Sequence, residues 1–540
     1  MLNTRGWRRL GAVVLGLSLA AAACGDGGSS EEGGGTTLTT TPIEQGNVDV
    51  TDNDATAWLK MVGANAPQQM DPTREASPCS NAMLGAVYDR LIRMGPDGQL
   101  EPGLAESWEA TDPTTFRITL RDDVKFQDGT PFDAEAVAAH LERAKSSPTS
   151  VIKGDLGAVE SITVVDDSTV ELKLSAPRAG VMPTVLSGRA GMVPSPTAVQ
   201  AAGDTYGAEG ATGAGPYKYV DNTPNNYIKL EAWDGYWEPG RQLVAGIENF
   251  GFNTQFQVER IRSGELNYVT VFDNQYPDVK AAADEGVVDV KVSPAVQFGE
   301  FFVNYGKAPF DDIKVRQALN HAVDREALAD AVTGGAGTPA WGPLPEDSWA
   351  HSADVEGMYE YDPAKAKELL AEAGHPDGLA IRTAFVSNPY YQTAAEALQG
   401  MLAESGINLE LVPVTPAEIN NALYVRQEFD AGVTAFLGSD DPGLLLEAKY
   451  GSNGNNNPSK TATPGLDDLL ADGAAATEVE ERAEAYKAAE ELIMEQALAI
   501  PMWRNAGVAA FSPEVKNVVK GYTTCSLGDF ISPPTYVAKG

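Results

Sequence analysis

The spacing of apolar residues predicts antiparallel strands in the first half of the chain. Phe116, Ile118 and Leu120 alternate with polar residues, and a similar alternation at 162–164 is separated from another at 170–174 by a polar turn at 166–168. A period of two residues is typical of strands with one buried face. We therefore expect a region rich in hairpins.

Helices are predicted where the apolar period lengthens to three or four residues. Asp133 can cap such a segment, whose apolar side chains share one face: Ala136, Val137, Leu141 and Ala144. In the second half, Asp362 followed by Pro363 is typical of a helix start, and Gly374 is typical of a helix end.

The elements that follow this helix indicate a βαβ unit. Residues 380–386 and 407–414 are apolar runs typical of strands, and an amphipathic segment between them ends at Gly406. Two parallel strands joined by a helix fit this order. A further buried strand is predicted at 429–436.

Two loops of this predicted sheet are candidates for a binding site. Open α/β sheets bind their ligands beyond the carboxyl ends of the strands. The segments "SNPYY" (387–391) and "LGSDDPG" (437–443) follow the first and third strands, so we expect both at one edge of the sheet. A purely structural role, as a Pro-Tyr turn or as a helix start, stays open for each.

The N-terminus has the pattern of an export signal with a lipidation site. Three arginines precede an apolar run that ends at Cys24, and no acidic residue comes before that cysteine. The run is shorter than the roughly 20 residues that span a bilayer as a helix. We expect residues 1–23 to be a signal peptide, Cys24 to be lipidated, and the polar residues 24–49 to form a flexible tether. Ordinary signal cleavage beside an incidental cysteine is the alternative.

The charge, length and cysteine content limit which partners and which architecture the protein can have. The 540 residues carry a formal charge of -37, which disfavours nucleic acid as a partner because both surfaces would be anionic. The length and a hydrophobic content of 43% allow more than one domain. Apart from Cys24 the cysteines are Cys79 and Cys525, which suggest one disulfide in an exported protein; two unpaired thiols are the alternative.

Motifs of catalysis and of cofactor binding are mostly missing. The zincin, thiol-redox, α/β-hydrolase and P-loop motifs do not occur. One SxxK motif, Ser150 to Lys153, supports an alternative hypothesis, an exported hydrolase or penicillin-binding enzyme, but its usual partner motifs are lacking. The four histidines are far apart in sequence, and we expect no metal and no cofactor.

Seven segments together resemble a known family. They are "LAESWEA" (104–110), "FRITLRDDVKFQDGTPFDAEAV" (116–137), "GAGPYKY" (213–219), "WDGYWEPG" (233–240), "SGELNY" (263–268), "APFDDIKVRQALNHAVDREAL" (308–328) and "YDPAKAKELLAEAG" (361–374). The combination resembles extracytoplasmic solute-binding protein family 5, the dipeptide-, oligopeptide- and nickel-type binding proteins of ABC importers. The resemblance extends from about residue 57 to the C-terminus.

This resemblance implies a bilobed α/β fold of the large periplasmic-binding-protein type, with mixed sheets in two lobes, an extra subdomain and two hinge crossings. Domain I would comprise 50–77, 207–298 and 499–540, domain II 78–206, and domain III, the distal lobe, 299–498. The hinge crossings would lie near 292–300 and 498–506. The C-terminus would then lie beside the start of the fold, in agreement with a Cys79–Cys525 pair.

The resemblance also implies solute binding without catalysis. The lobes would close on a peptide-like or other small solute, and an ABC permease with its ATPases would accept the closed form. We expect a monomer at the outer face of the cytoplasmic membrane, anchored through lipidated Cys24. A solute receptor that does not serve transport is a further alternative.

Several side chains are implied as ligand contacts. In peptide-binding relatives this loop can carry an arginine just before the Pro-Tyr pair that binds the peptide carboxylate, and an aspartate of the second loop binds the amine. Asn388 takes the place of that arginine and cannot form a bidentate ion pair, so we expect free dipeptides not to be the preferred ligand. The predicted ligand-binding residues are Trp341, Asn388, Tyr390, Tyr391, Phe436, Asp440, Asp441 and Trp503. For Phe436 and Trp503 a role in the core of a lobe is at least as good an interpretation.

Overall fold

The structure is a computed structural model, and it describes residue 50 and residues 52–63, 66–95, 98–251, 256–436, 439, 441–518 and 534–539. The predicted signal peptide, the predicted tether and the predicted lipidation site Cys24 lie outside the described residues. Asp440 and Cys525 lie outside them as well, so the pairing of Cys79 with Cys525 stays a prediction.

Strands and helices are mixed along the whole chain. The strands are β1 Trp58–Val62, β2 Ile92–Met94, β3 Leu100–Pro102, β4 Ala105–Asp112, β5 Thr115–Leu120, β6 Val159–Asp166, β7 Thr169–Leu174, β8 Tyr217–Thr223, β9 Tyr227–Ala232, β10 Gly246–Phe250, β11 Tyr268–Val271, β12 Asp289–Val303, β13 Thr338–Pro339, β14 Leu379–Val386, β15 Ile407–Val414, β16 Ala431–Phe436, β17 Pro501–Phe511, β18 Val515–Lys516 and β19 Tyr536–Val537. The α-helices are α1 Asn81–Tyr88, α2 Ala134–Ser146, α3 Met182–Ser187, α4 Pro196–Ala202, α5 Gln257–Arg262, α6 Tyr276–Asp284, α7 Ile313–His321, α8 Arg325–Thr333, α9 Pro363–Glu372, α10 Pro389–Glu404, α11 Pro442–Tyr450, α12 Leu466–Ala475 and α13 Val479–Glu495.

One large sheet connects two lobes. Within the described residues it has eleven strands in the order β15-β14-β16-β12-β17-β11-β1-β10-β9-β8, with β13 beside β17. The first lobe contains β1 and β8–β11, and the second contains β13–β16 with helices α7–α13. The long strands β12 and β17 pair antiparallel with each other and belong to both lobes, and their register shifts between Pro294 and Phe298. The predicted hinge crossings lie largely in these two strands, whereas the exact domain boundaries stay a prediction.

A separate antiparallel sheet belongs to the first lobe, in the order β4-β5-β7-β6. With α2 and α3 it forms what we call the four-stranded module, residues 105–187. The predicted hairpin is confirmed, because Ile162 lies opposite Leu172 and Val164 lies opposite Val170. The predicted helix is confirmed as α2, whose N-cap Asp133 accepts a hydrogen bond from Ala136 N at 2.9 Å.

The predicted βαβ unit is confirmed in the second lobe. β14 and β15 are parallel neighbours connected by α10, and β16 is the parallel neighbour of β14 on its other side. The helix before this unit is α9, and Asp362 caps it by accepting from Lys365 N at 2.9 Å. The apolar faces of these elements meet in one core, which includes Leu370, Leu398 and Val433.

Candidate functional site

The carboxyl ends of β14 and β16 form the sheet edge at which the sequence predicts a site. The two strands run in the same direction, with Thr383 beside Ala431 and Phe385 beside Val433. Segment 387–391 follows β14, and α11 begins shortly after β16 ends. Both segments therefore leave the same edge, as predicted, although residues 437, 438 and 440 lie outside the described part of the second segment.

Asn388 begins helix α10. Its side-chain oxygen accepts a hydrogen bond from Tyr391 N at 2.9 Å, as expected for an asparagine N-cap. The side chain is partly buried. The side-chain oxygen of Asn388 thus caps the helix. The N–H groups of its side-chain amide take no part in this cap.

A group of side chains that we call the hinge cluster joins the two lobes beside β17. It consists of Asp273, Tyr390, Trp503 and Asn505. Tyr390 Oη donates to Asp273 Oδ2 at 3.4 Å and accepts from Trp503 Nε1 at 3.1 Å. Asn505 Nδ2 donates to the same Asp273 oxygen at 2.8 Å and also to Tyr390 Oη. Because Asp273 follows β11 in the first lobe and Tyr390 lies in α10 of the second, these bonds cross between the lobes.

Burial dominates the electrostatics of this cluster. It raises the pKa of the Asp273 carboxyl, although the donated hydrogen bonds from Asn505 and Ala506 act in the opposite direction. Burial also raises the pKa of Tyr390, with the negative charge of Asp273 adding to the effect, and it raises the pKa of Tyr391 to about 12. Both phenols therefore stay protonated at neutral pH and can donate hydrogen bonds. Their rings meet edge to face, with centroids 5.3 Å apart.

Trp503 lies in the core of the second lobe. Its side chain is fully buried, and its ring covers Gly299 so closely that a Cβ there would lie 2.3 Å from the indole. Its N–H group is already bound to Tyr390. Trp503 thus holds the Tyr390 hydroxyl, which also contacts Asp273 of the first lobe. A contact of Trp503 with a ligand stays a prediction.

Phe436 ends β16 and keeps part of its ring exposed. Its centroid lies 6.4 Å from that of Phe298 on the neighbouring strand β12. Lys449 Nζ lies 4.6 Å from the Phe436 centroid and 5.4 Å from the Phe298 centroid, and it forms a buried ion pair with Glu300. The rings of Phe436 and Phe298 therefore both form cation–π contacts with the buried ammonium group of Lys449.

Asp441 is fully buried at the start of α11. One carboxylate oxygen accepts from Gly443 N at 2.9 Å and from Leu444 N at 3.2 Å, which caps the helix. The other oxygen accepts from Arg482 Nη2 at 2.5 Å and from Thr184 Oγ1 at 3.5 Å. Both oxygens are therefore engaged by the protein, and a ligand amine would have to compete with these partners.

The segment that carries Trp341 is fixed by buried charges. Arg325 lies with its guanidinium carbon 5.2 Å from the Trp341 ring centroid and donates to Ala340 O at 3.1 Å. Arg504 Nη2 donates to the carbonyl groups of Gly342 at 2.9 Å and Leu344 at 2.7 Å. Burial lowers the pKa of both arginines to about 10, so both are charged at neutral pH. The partly buried Trp341 is thereby held in one position.

Sequence reasoning missed Asp273 and Asn505 of the hinge cluster, and it also missed Arg325 and Arg504. Asp273 is separated from Tyr390 by 117 positions, and Arg504 from Gly342 by 162. No local pattern connects residues so far apart. The only available signal was that Asn505 follows Trp503 within a predicted hinge crossing.

Other candidate chemistry does not converge at this edge. Ser150 and Lys153 lie in turns after α2 in the first lobe. Among the described residues, no group of three or more His, Cys, Asp or Glu side chains is arranged to hold a metal ion. Within the same part of the chain, every helix is too short or too polar to cross a bilayer.

Comparisons with known proteins bear on the family. The family model described as bacterial extracellular solute-binding proteins, family 5 middle, matches residues 99–457. Heme-binding protein A of Haemophilus influenzae is 30% identical over 501 residues, covering 85% of this chain and 89% of that protein. The glutathione-binding protein GsiB of Shigella flexneri is 28% identical over 466 residues, covering 84% and 89%.

Solved structures agree on the fold. The periplasmic binding protein DppA of Helicobacter pylori, in complex with the peptide STSA, superposes with a TM-score of 0.74 at 23% identity, covering 89% of this chain and 98% of that chain. The family match, the shared fold and the relatives matched over 89% of their length point to one class of protein. The chain belongs to the bacterial extracellular solute-binding proteins of family 5, which serve ABC transporters as binding proteins and are not enzymes.

Proposed function

We propose that this protein is the substrate-binding lipoprotein of an ABC importer, that it captures a peptide-like solute between its lobes, and that it delivers this solute to a membrane permease. Family membership supports the binding role and an extracytoplasmic location. The observation that carries the proposal is the hinge cluster, because side chains of both lobes converge there beside the two strands that connect them.

The site lacks free charged groups that would pair with both the terminal amine and the terminal carboxylate of a ligand. It therefore favours a ligand whose binding does not depend on these two charges. The amide of Asn388 offers no positive charge to a carboxylate. Both oxygens of Asp441 are occupied by a helix cap and by Arg482. The groups available for contact are mainly aromatic rings and phenol hydroxyls, such as Trp341, Tyr391 and Phe436. Apolar and hydrogen-bonding contacts of this kind suit a longer or less ionic peptide-like solute than a free dipeptide.

The histidines favour a peptide-like solute over heme, which a relative is named for binding. His140 is buried within the four-stranded module, and His351 is held between Glu490 and Glu356. His321 contacts Glu360 O through Nδ1, and His375 lies just before β14, at the end of that strand opposite the candidate site. In the described part of the chain His140, His321 and His375 are thus placed away from the candidate edge, and His351 is engaged by two carboxylates.

Native mass spectrometry of the purified protein tests the binding role. We expect a stoichiometric small molecule that is released on denaturation and that fragments as a peptide or peptide derivative. Calorimetry with a mixture of defined tri- to pentapeptides then measures affinity. Trp341→Ala should weaken binding at least tenfold, whereas Trp233→Ala, a turn residue of the first lobe, should not change it. Micromolar binding of a plain dipeptide would contradict the assigned ligand class.

The lipid anchor is tested separately. We expect lipid labelling of the protein in cells, and loss of this labelling together with release from the membrane fraction in Cys24→Ser. A Cys24→Ser protein that stays in the membrane fraction would contradict the anchor without affecting the assignment as a solute-binding protein.

A further inference from the structure

A second contact between the lobes lies away from the hinge strands. It joins residues 178–184, which run from the segment after β7 into the first turn of α3, to α11, α13 and the end of α12 in the second lobe. Arg178 forms a bidentate ion pair with Glu447, with Nη1 to Oε1 at 3.0 Å and Nη2 to Oε2 at 2.8 Å. The side chains keep 27% and 45% of their surface exposed, so the pair lies at the rim of the contact.

The backbones of the two lobes touch at Gly180. A Cβ at this position would lie 2.0 Å from the carbonyl oxygen of Ala476 and 3.3 Å from Arg482 Cδ. Real Cβ atoms do not approach a carbonyl oxygen so closely, so the contact requires glycine. Next to it, Thr184 Oγ1 donates to Asp441 Oδ2 at 3.5 Å, and this oxygen is also bound by Arg482.

Both sides of the contact belong to rigid parts of their lobes. Arg178 N and Ala179 N donate to Pro113 O at 2.9 and 3.0 Å, and the side chains of Ala179 and Met182 lie in the core of the module. On the other side, Asp441 caps α11 and is paired with a residue of α13. A movement of one lobe would therefore break the contact as a unit instead of being absorbed by a loose loop.

We propose that residues 178–184 on one side and Asp441, Glu447, Ala476 and Arg482 on the other form a closure latch. The latch stabilises the closed arrangement, in which the module touches α11 and α13, whether or not a solute is bound. The lobes are linked along the chain by β12 and β17, about which they can rotate. An attractive contact that exists in one arrangement only shifts the population toward that arrangement. The inference rests on the two-lobed fold and not on the identity of the solute.

A steric wedge is the first test, with small-angle X-ray scattering of the purified, ligand-free protein as the measurement. Gly180→Leu cannot keep the backbone contact with Ala476, so we expect a larger radius of gyration than in the wild type. The matched control is Gly154→Leu, since a Cβ at Gly154 meets no atom within 4 Å. Circular dichroism checks that both variants are folded. A folded Gly180→Leu protein with the wild-type radius of gyration would overturn the latch.

Charge reversal is the second test. Arg178→Glu should shift the population toward the open arrangement about fivefold or more, because an attractive pair is replaced by a repulsive one. The double variant Arg178→Glu with Glu447→Arg should restore the wild-type scattering curve. Arg260→Glu breaks a pair within the first lobe, with Glu265 at 2.7 Å, and should leave the curve unchanged. Failure of the double variant to restore the curve would contradict the role of the ion pair. Since no solute is present, these results do not depend on the proposed function.

Discussion

The four-stranded module and the second lobe fill their interiors with different side chains. The core of the module consists of apolar residues that alternate along its strands, such as Phe116, Ile118 and Leu172. The second lobe has a comparable apolar core, but it also buries charged side chains: Glu300, Arg316, Arg325, Asp441, Lys449, Arg482, Glu490 and Arg504. The first kind of interior follows from a local pattern, whereas the second depends on partners that are distant in sequence.

The buried arginines show what these charges are used for. Arg316 donates to Phe310 O at 2.8 Å and to Ala497 O at 3.1 Å. Arg325 likewise donates to Pro501 O at 3.0 Å and to Tyr359 O at 3.0 Å. A buried charge is costly unless its donors are satisfied, and here backbone carbonyl groups of separate segments satisfy them. The charges therefore tie β17 and the loops of the second lobe to its helices, which fixes the walls of the candidate site.

The largest effect is expected when one partner of a buried pair is removed. Lys449→Met leaves Glu300 buried without its cation, which should lower the free energy of unfolding by about 3–5 kcal/mol. The double variant Lys449→Met with Glu300→Leu should recover most of this loss, because no uncompensated charge remains. Urea unfolding measures the change in the free energy of unfolding for both variants. Hydrogen exchange of the amides in β12 and α11 is then compared between them.

A matched change in the module shows whether the two interiors differ. Leu172→Ala should cost about 2–5 kcal/mol through loss of apolar contacts and a residual cavity. No second substitution to an apolar residue is expected to reverse this loss in the way that removal of Glu300 does. Equal destabilisation by Lys449→Met alone and by the double variant would show that the ion pair acts only as packing and would remove the distinction.

The module illustrates what the sequence could predict. The alternation at 116–120 and the apolar stripe of α2 depend on neighbours a few residues away, and the structure confirms both. The βαβ unit was predictable for the same reason, and with it the common edge of the loops after β14 and β16. Each of these signals is a periodic pattern of apolar residues, so it can be recognised in the sequence without knowing which residues pack together in the fold.

The site was predictable only in part. Tyr390 was predicted from the segment after β14, but its partner Asp273 lies in the other lobe and looks locally like an ordinary residue before a helix. Asp441 was expected to face a ligand, whereas its oxygens serve a helix cap and Arg482, 41 positions further on. Side-chain hydrogen bonds of this range leave no periodic trace, and they decide which polar groups remain available.

The module contains one buried titratable side chain whose pH response should be measurable. His140 lies on the apolar face of α2, and burial lowers its pKa to about 3, with the nearby charge of Arg143 adding to the effect. The unfolded chain takes up this proton near pH 6.5, so stability falls as the pH drops from 6.5 toward 3. At pH 5 the loss should be about 2 kcal/mol. His140→Leu should remove this difference between pH 7 and pH 5 in urea unfolding, and an unchanged pH dependence in that variant would contradict the assignment.

The second lobe should respond to pH with the opposite sign and a smaller size. Burial lowers the pKa of His351, but the carboxylates of Glu490 and Glu356 outweigh it, and the pKa is raised above 6.5. The stabilisation from His351 is therefore present below pH 6.5 and is lost as the pH rises through its raised pKa. The effect of His140 is the reverse, because its lowered pKa makes the folded state more stable as the pH rises toward 6.5.

Hydrogen exchange at two amides reports this response directly. Leu344 N and Ser352 N both donate to Glu490, at 3.0 and 2.8 Å. After correction for intrinsic rates, we expect both to be a few-fold better protected at pH 6 than at pH 8; the effect is modest because Glu356, the second carboxylate beside His351, keeps 44% of its side chain exposed to solvent. His351→Gln should abolish the difference while keeping a hydrogen bond to Glu490. If the variant kept it, the pH response of this segment would come from another group, and the two histidines would no longer distinguish the two interiors.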